Sequence, residues 1–208
     1  MKELDLNVDE LPFRNFLSSR YMISSKVNVE NIWKYSKENN LSFFNLSLAI
    51  LMNAVNKVPQ LKRRIIKDKV VEYEYLEGIC PIMNEEKAIF REMKVQIPQD
   101  FKNIIDWYDY VQQLKLDVLE GRIGTFELDL DKRDETNIAN FSCIPWIDFE
   151  AATNAVSASD AVQPLITWGK VNEDYEMTVS ITVSHIFVSG RDLGYFFQYV
   201  QEGFDNLI

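Results

Sequence analysis

The chain has 208 residues, 47% hydrophobic and 12% aromatic with only seven glycines, which supplies a sizeable core and excludes a disordered chain. Acidic residues outnumber basic ones by 32 to 22, a formal net charge of −10, which argues against a nucleic-acid partner because such proteins display a basic face. The longest apolar runs, such as LSFFNLSLAILMNAV, are broken by Asn and Ser, so no membrane span is expected.

Taken in chain order, the N-terminal MKELDLNVDELPF is acidic and lacks a hydrophobic signal region, so secretion is not expected. RYMISSKVNV (20–29) interleaves Val and Ile with polar residues and reads as a strand. NVENIWKYSKEN follows as a short helix with Asn28 as its N-cap. SFFNLSLAILMNAVNKVP (42–59) places Phe44, Leu48, Leu51 and Val55 at helical spacing, and Pro59 stops it. Two or three strands are expected in RRIIKDKVVEYEY, ICPIM and AIFREMKVQI. Pro98 and Asp100 open a helix with Phe101, Ile104, Ile105, Tyr108, Val111 and Leu114 on one core-facing stripe. Segment 121–137 is polar and loop-like. Beyond it come strands IANFSCIPW, PLITWGKV and YEMTVSITVSH, then a C-terminal helix turning Leu193, Phe196, Phe197 and Val200 inward. Separate runs of strands and helices indicate an α+β fold, a mixed β-sheet covered by helices, in a single domain over 1–208.

The one dense basic cluster, LKRRIIKDK at 61–69, lies in an alternating stretch and reads as a solvated strand face; contact with an anionic small molecule such as a phosphorylated cofactor is the other reading. Cys80 and Cys143 form no CxxC pair, so neither a metal site nor a disulfide framework is expected, and two isolated thiols fit a reducing cytoplasm.

His185 is the only histidine. Before it, Met177, Val179, Ile181 and Val183 alternate with Thr178, Ser180, Thr182 and Ser184, the period-2 pattern of a half-buried strand. An imidazole at the end of such a face is either a satisfied core side chain or a base aimed into a cavity. No Gly-rich phosphate loop, paired metal ligands or GxSxG elbow accompanies it, and no serine stands out as an activated nucleophile.

Beside His185 stand Gly190 and the upstream segment NFSCIPW, and with SSKVNV, NAVNKVPQLKRRI and PLITWGK they form an ordered set over nearly the whole chain. That set resembles the chloramphenicol acetyltransferase family, part of the larger HHxxxDG class that also contains dihydrolipoyl acyltransferase catalytic domains. SHIFVSG falls where HHxxxDG is expected. The resemblance implies acetyl transfer from acetyl-CoA, a co-substrate, to a small-molecule hydroxyl acceptor, chloramphenicol by default, without a metal. It implies His185 as general base, Ser142 as hydrogen-bond donor to the oxyanion, and Thr167 as a residue ordering water nearby. Ser142 and Thr167 also fit plain strand positions. Trp146, Lys170 and Asn140 fall where the family borders the CoA channel, and Phe90, Phe16 and Leu17 near segments that wall the acceptor pocket. The resemblance further implies a homotrimer whose sites lie between subunits.

Three positions depart from the pattern. Ser184 replaces the first motif histidine and Ser189 the motif aspartate, while DLNVDELPF lacks the arginine that pairs with that aspartate. A carboxylate restored at 189 is therefore expected to be buried without a partner. Ser42 stands near the place of a lysine that contacts the 3′-phosphate of CoA in some relatives. Two further readings stay open: a degenerate relative with another acceptor, or a binding role, and little acetyl transfer; and a dihydrolipoyl acyltransferase core, disfavoured because no lipoyl domain or Pro/Ala-rich linker is seen.

Overall fold

The computed structural model of the protein describes residues 1–84, 88–127, 129, 132, 135–154 and 163–206. In chain order the elements are β1 (Lys2–Glu3), β2 (Arg20–Asn28), α1 (Glu30–Glu38), α2 (Phe43–Lys57), β3 (Arg63–Ile66), β4 (Lys69–Glu72), β5 (Glu77–Asn84), β6 (Ile89–Val95), α3 (Ile104–Leu119), β7 (Ile138–Cys143), β8 (Leu165–Val171), β9 (Glu176–Ser184) and α4 (Gly190–Asn206). Six strands form one mixed sheet in the order β2-β9-β8-β7-β5-β6, and β1, β4 and β3 form a small separate sheet. Pairing in the large sheet is antiparallel except between β5 and β7 and between β7 and β8. The chain thus adopts the α+β architecture expected of it, a mixed sheet with helices packed on it. No helix among the described residues is long and apolar enough to cross a membrane.

Ser42 caps α2 by accepting from the Asn45 N–H, and the helix ends before Pro59. Ten of its fifteen residues are buried, so it runs through the core rather than over it. α4 lies on it closely: a Cβ at Gly203 would come 2.6 Å from Ile50 Cγ2, which is why this crossing needs glycine.

β9 corrects the half-buried reading of its alternation. Both of its faces are buried, Thr178, Ser180, Thr182 and Ser184 being as inaccessible as Val179 and Ile181. The apolar face joins the helix-covered core, where each buried Val or Ile contributes about 1.5–3 kcal/mol. The serine hydroxyls on the other face find partners, whereas the Thr178 hydroxyl has none among the described residues: Ser180 pairs with Ser24 at 2.6 Å and accepts from the Ala152 N–H, and Ser184 pairs with Ser19 at 2.9 Å. A buried hydroxyl so satisfied carries little penalty.

Three other expectations shift. Val29, not Asn28, is the N-cap of α1, although the Asn28 side chain accepts from the Glu30 N–H. Pro98–Asp100 forms one 3₁₀ turn, and α3 begins at Ile104, capped by Asn103. On α3 Ile105 is exposed, whereas Trp107 is buried and donates through Nε1 to the Gln96 carbonyl.

The basic cluster builds the small sheet. Lys67 and Asp68, both at positive φ, turn β3 into β4 as a two-residue hairpin. Arg64 is fully buried and donates to the carbonyls of Leu61, Arg63 and Ile138, so it is structural and not part of a solvated face. Arg63 pairs with Glu72 and Lys69 with Glu3, which leaves little of the cluster for an anionic ligand.

Candidate active site

The turn after β9 fixes His185 by four contacts. Its backbone N–H donates to the Ser19 carbonyl at 2.7 Å, and Nδ1 lies 2.8 Å from the Val188 carbonyl oxygen. A carbonyl only accepts, so Nδ1 carries the proton in the neutral ring and Nε2 keeps its lone pair. The ring is sandwiched between Phe13, at 4.1 Å and 13°, and Tyr21, at 4.6 Å and 15°. Phe13 holds φ 58, a costly conformation for a bulky residue, and it is the residue pressed against the imidazole. His185 is therefore neither solvent-mobile nor lost in the core: it is a clamped, half-buried imidazole with Nε2 left free of the Val188 contact.

The two serines that depart from the motif have plain structural work. Ser184 accepts from the Ile186 N–H as well as pairing with Ser19. Ser189 and Asp192 form a reciprocal cap at the start of α4: the Asp192 carboxylate accepts from the Ser189 N–H and hydroxyl, and the Ser189 hydroxyl lies 3.4 Å from the Asp192 N–H. Ser189 is exposed, so the expectation of a buried, unpartnered carboxylate at 189 is corrected. An aspartate there would meet the like charge of Asp192 in solvent instead.

At the opposite end of the sheet, the carboxyl ends of β5, β7 and β8 open into a cavity of about 730 Å³. Ser142 lines it, half-buried, with no hydrogen-bond partner among the described residues, so its hydroxyl is free to donate. Neighbouring Cys143 also lines it, but burial pushes its thiol up to about 12, which leaves no thiolate nucleophile at neutral pH. Trp146 and Lys170 border the same space, tied together by a close loop: Ile144 N–H donates to the Trp168 carbonyl and Lys170 N–H to the Ile147 carbonyl. Gly169 permits this approach, since a Cβ there would lie 2.9 Å from the Ile147 oxygen.

Of the other candidates, Phe90 lines the cavity and is exposed. Thr167 is the register partner of Ser142, but it is fully buried outside the cavity lining and accepts from Asn154 Nδ2 at 2.7 Å. Asn140 also lies outside the lining, two residues before Ser142 on β7. Phe16 and Leu17 stand with the base: Phe16 meets Phe13 edge-on at 5.1 Å, and Leu17 is 97% exposed. Sequence reasoning missed Trp33, Phe43, Phe44 and Lys115, which line the cavity from helices. Helical spacing assigns such aromatics to packing, and the one available signal was Lys115, the only basic residue in α3.

Register separates base and cavity. Ser142 aligns with Thr167 and Thr167 with Ser180, which places His185 five residues along and two strands across from Ser142. At about 3.3 Å per residue and ~4.8 Å per strand, that is roughly 19 Å within one chain.

Comparison with known proteins places the chain in a family. The sequence matches the family described as chloramphenicol acetyltransferase over residues 9–201. A chloramphenicol acetyltransferase of Bacillus pumilus is 23% identical over 185 residues, covering 87% of this chain and 81% of the relative. Among solved structures, a chloramphenicol acetyltransferase superposes with a TM-score of 0.82 at 19% identity, over 97% of this chain and 99% of the other. A probable dihydrolipoamide acetyltransferase from Listeria monocytogenes 4b F2365 gives 0.65 at 14% identity, over 95% and 86%. The structural likenesses carry the fold, and the family match extends over nearly the whole sequence: the chain belongs to the chloramphenicol acetyltransferase family.

Proposed function

We propose that the protein is an acetyl-CoA-dependent O-acetyltransferase acting on chloramphenicol or a similar hydroxylated small molecule, in a homotrimer where His185 of one copy faces the cavity of the next. The observation that carries this reading is the separation of about 19 Å between a clamped imidazole and a cavity whose described lining has an unpartnered serine hydroxyl but no histidine or carboxylate. A single chain holds two halves of a site, and a closed ring of copies joins them. Five of the exposed apolar side chains support such a ring, because they fall at both halves: Phe16 and Leu17 near His185, Phe90 and Trp146 in the cavity lining, and Ile147 next to Trp146 in sequence.

In the mechanism, Nε2 of His185 takes the acceptor hydroxyl proton as that oxygen attacks the thioester carbonyl carbon. Negative charge develops on the carbonyl oxygen, and the Ser142 hydroxyl donates to it. When the C–S bond breaks, the departing thiolate recovers the proton from the imidazolium, giving acetyl ester and CoA. The Val188 carbonyl keeps the Nδ1 proton in place throughout, and the Phe13 and Tyr21 faces stabilise the transient cation. Thr167 borders Ser142 and fixes its strand; Trp146 and Lys170 receive the donor, with Asn140 behind them, and Phe90, with Phe16 and Leu17 of the neighbouring copy, encloses the acceptor. No metal enters the chemistry. We read the chain as a single domain of a cytoplasmic enzyme, a reading supported by two unbonded cysteines.

Purified protein mixed with acetyl-CoA and chloramphenicol, with a thiol reagent reporting free CoA, tests the reading. Acceptor-dependent CoA release matched by acetylated product is expected. Release no greater than the acceptor-free control across a panel of hydroxylated antibiotics would overturn it.

A further inference from the structure

The cavity has a charge pattern opposite to the protein's. The chain carries 32 acidic and 22 basic residues, yet among the described residues the only charged ones lining the cavity are Lys115 and Lys170. Lys170 also borders a second depression with Asp148, Glu173 and Asp174, so carboxylates lie on its outer side. Lys115 is half-buried and takes part in no ion pair or hydrogen bond among the described residues. Its ammonium lies 5.7 Å from the Phe44 ring centroid, and that ring stacks on Trp168 at 5.7 Å.

Trp168 forms the layer behind that ring. It lines the cavity, is 1% exposed, and its Nε1–H has no acceptor among the described residues. That nitrogen is itself buried and stays an unsatisfied donor of the interior, as the Ser47 and Thr178 hydroxyls do. The cavity therefore offers a cation that has no counter-charge among the described residues, and an anionic molecule answers it.

We infer that Lys115 is a binding residue for the phosphate-bearing part of acetyl-CoA. This rests on the acetyl-CoA reading above. Lys115 binds as a point charge on a flexible stem, so it sets donor affinity and leaves the chemical step alone.

A merely structural lysine would contribute its stem over Phe44, so the test removes charge and keeps the stem. Wild type, Lys115→Met, Lys115→Gln and Lys115→Arg are compared by calorimetric titration with CoA, and by kinetics with acetyl-CoA and with phosphate-free acetyl-pantetheine. Lys115→Met and Lys115→Gln are expected to weaken CoA binding about tenfold and to raise KM for acetyl-CoA with kcat kept. Acetyl-pantetheine kcat/KM stays at the wild-type value, and Lys115→Arg holds CoA within about twofold of wild type. Unchanged CoA affinity in both neutral variants, or equal losses with acetyl-CoA and acetyl-pantetheine, overturns the assignment. A wild-type protein that binds no CoA instead overturns the acetyl-CoA reading, and this inference with it.

Discussion

Replacing His185 with alanine is expected to lower acetyl transfer by about 10²–10⁴-fold, the usual loss for a positioned general base. The fold should survive, because β9 is anchored by its pairing with β2 and β8 and not by the ring. The clamp around the imidazole makes the assignment sharp. With Nδ1 committed to the Val188 carbonyl and both faces covered by Phe13 and Tyr21, Nε2 is the one edge able to take a proton. Rate assays and thermal melts of His185→Ala against wild type check this. A variant keeping more than about a tenth of the wild-type rate, with an unchanged melt, would mean that the base lies elsewhere.

Ser142→Ala is expected to cost about 10²-fold, chiefly in kcat with KM nearly unchanged, because the oxyanion exists only in the transition state. The free state of the hydroxyl sharpens this. The Ser142 hydroxyl spends no hydrogen bond among the described residues, so its removal leaves none of them unsatisfied and should not lower stability. Steady-state kinetics together with a melt separate the outcomes. A rise in KM at constant kcat would reassign Ser142 to ground-state binding, and a large drop in melting temperature would make it structural.

Much of the fold was legible because local rules and tertiary packing agree. Alternation marked β2 and β9, and Ser42 and Pro59 bracket α2. The second face of β9 was not legible. Serine and threonine at alternate positions mark a solvent face in most strands, and the pairing of Ser180 with Ser24 and of Ser184 with Ser19 makes the burial of those two serines tolerable. Those partners lie more than 150 residues away in sequence. Arg64 escaped for a similar reason: its acceptors are carbonyls, which leave no trace in side-chain composition.

Within the candidate site, motif residues were readable and their supports were not. His185, Ser142, Trp146 and Lys170 stood out through spacing shared with a family. Phe13, which faces the imidazole at positive φ, lies in a stretch without periodicity, and Trp33, Phe44 and Lys115 lie on helices whose pattern announces only packing. Nor does any sequence pattern reveal that His185 and Ser142 occupy opposite ends of one sheet, because that follows from β8 running antiparallel to β9.

That separation is the centre of the account, and subunit complementation tests it most directly. His185→Ala chains and Ser142→Ala chains, each nearly inactive alone, are co-expressed in equal amounts, and mixed trimers are verified by mass spectrometry. If each site takes its base from one copy and its serine from the next, random assembly in a ring restores roughly a quarter of the sites and about that share of wild-type activity. Mixed trimers no more active than the average of the two variants would show that base and serine act within one chain, contradicting the shared site.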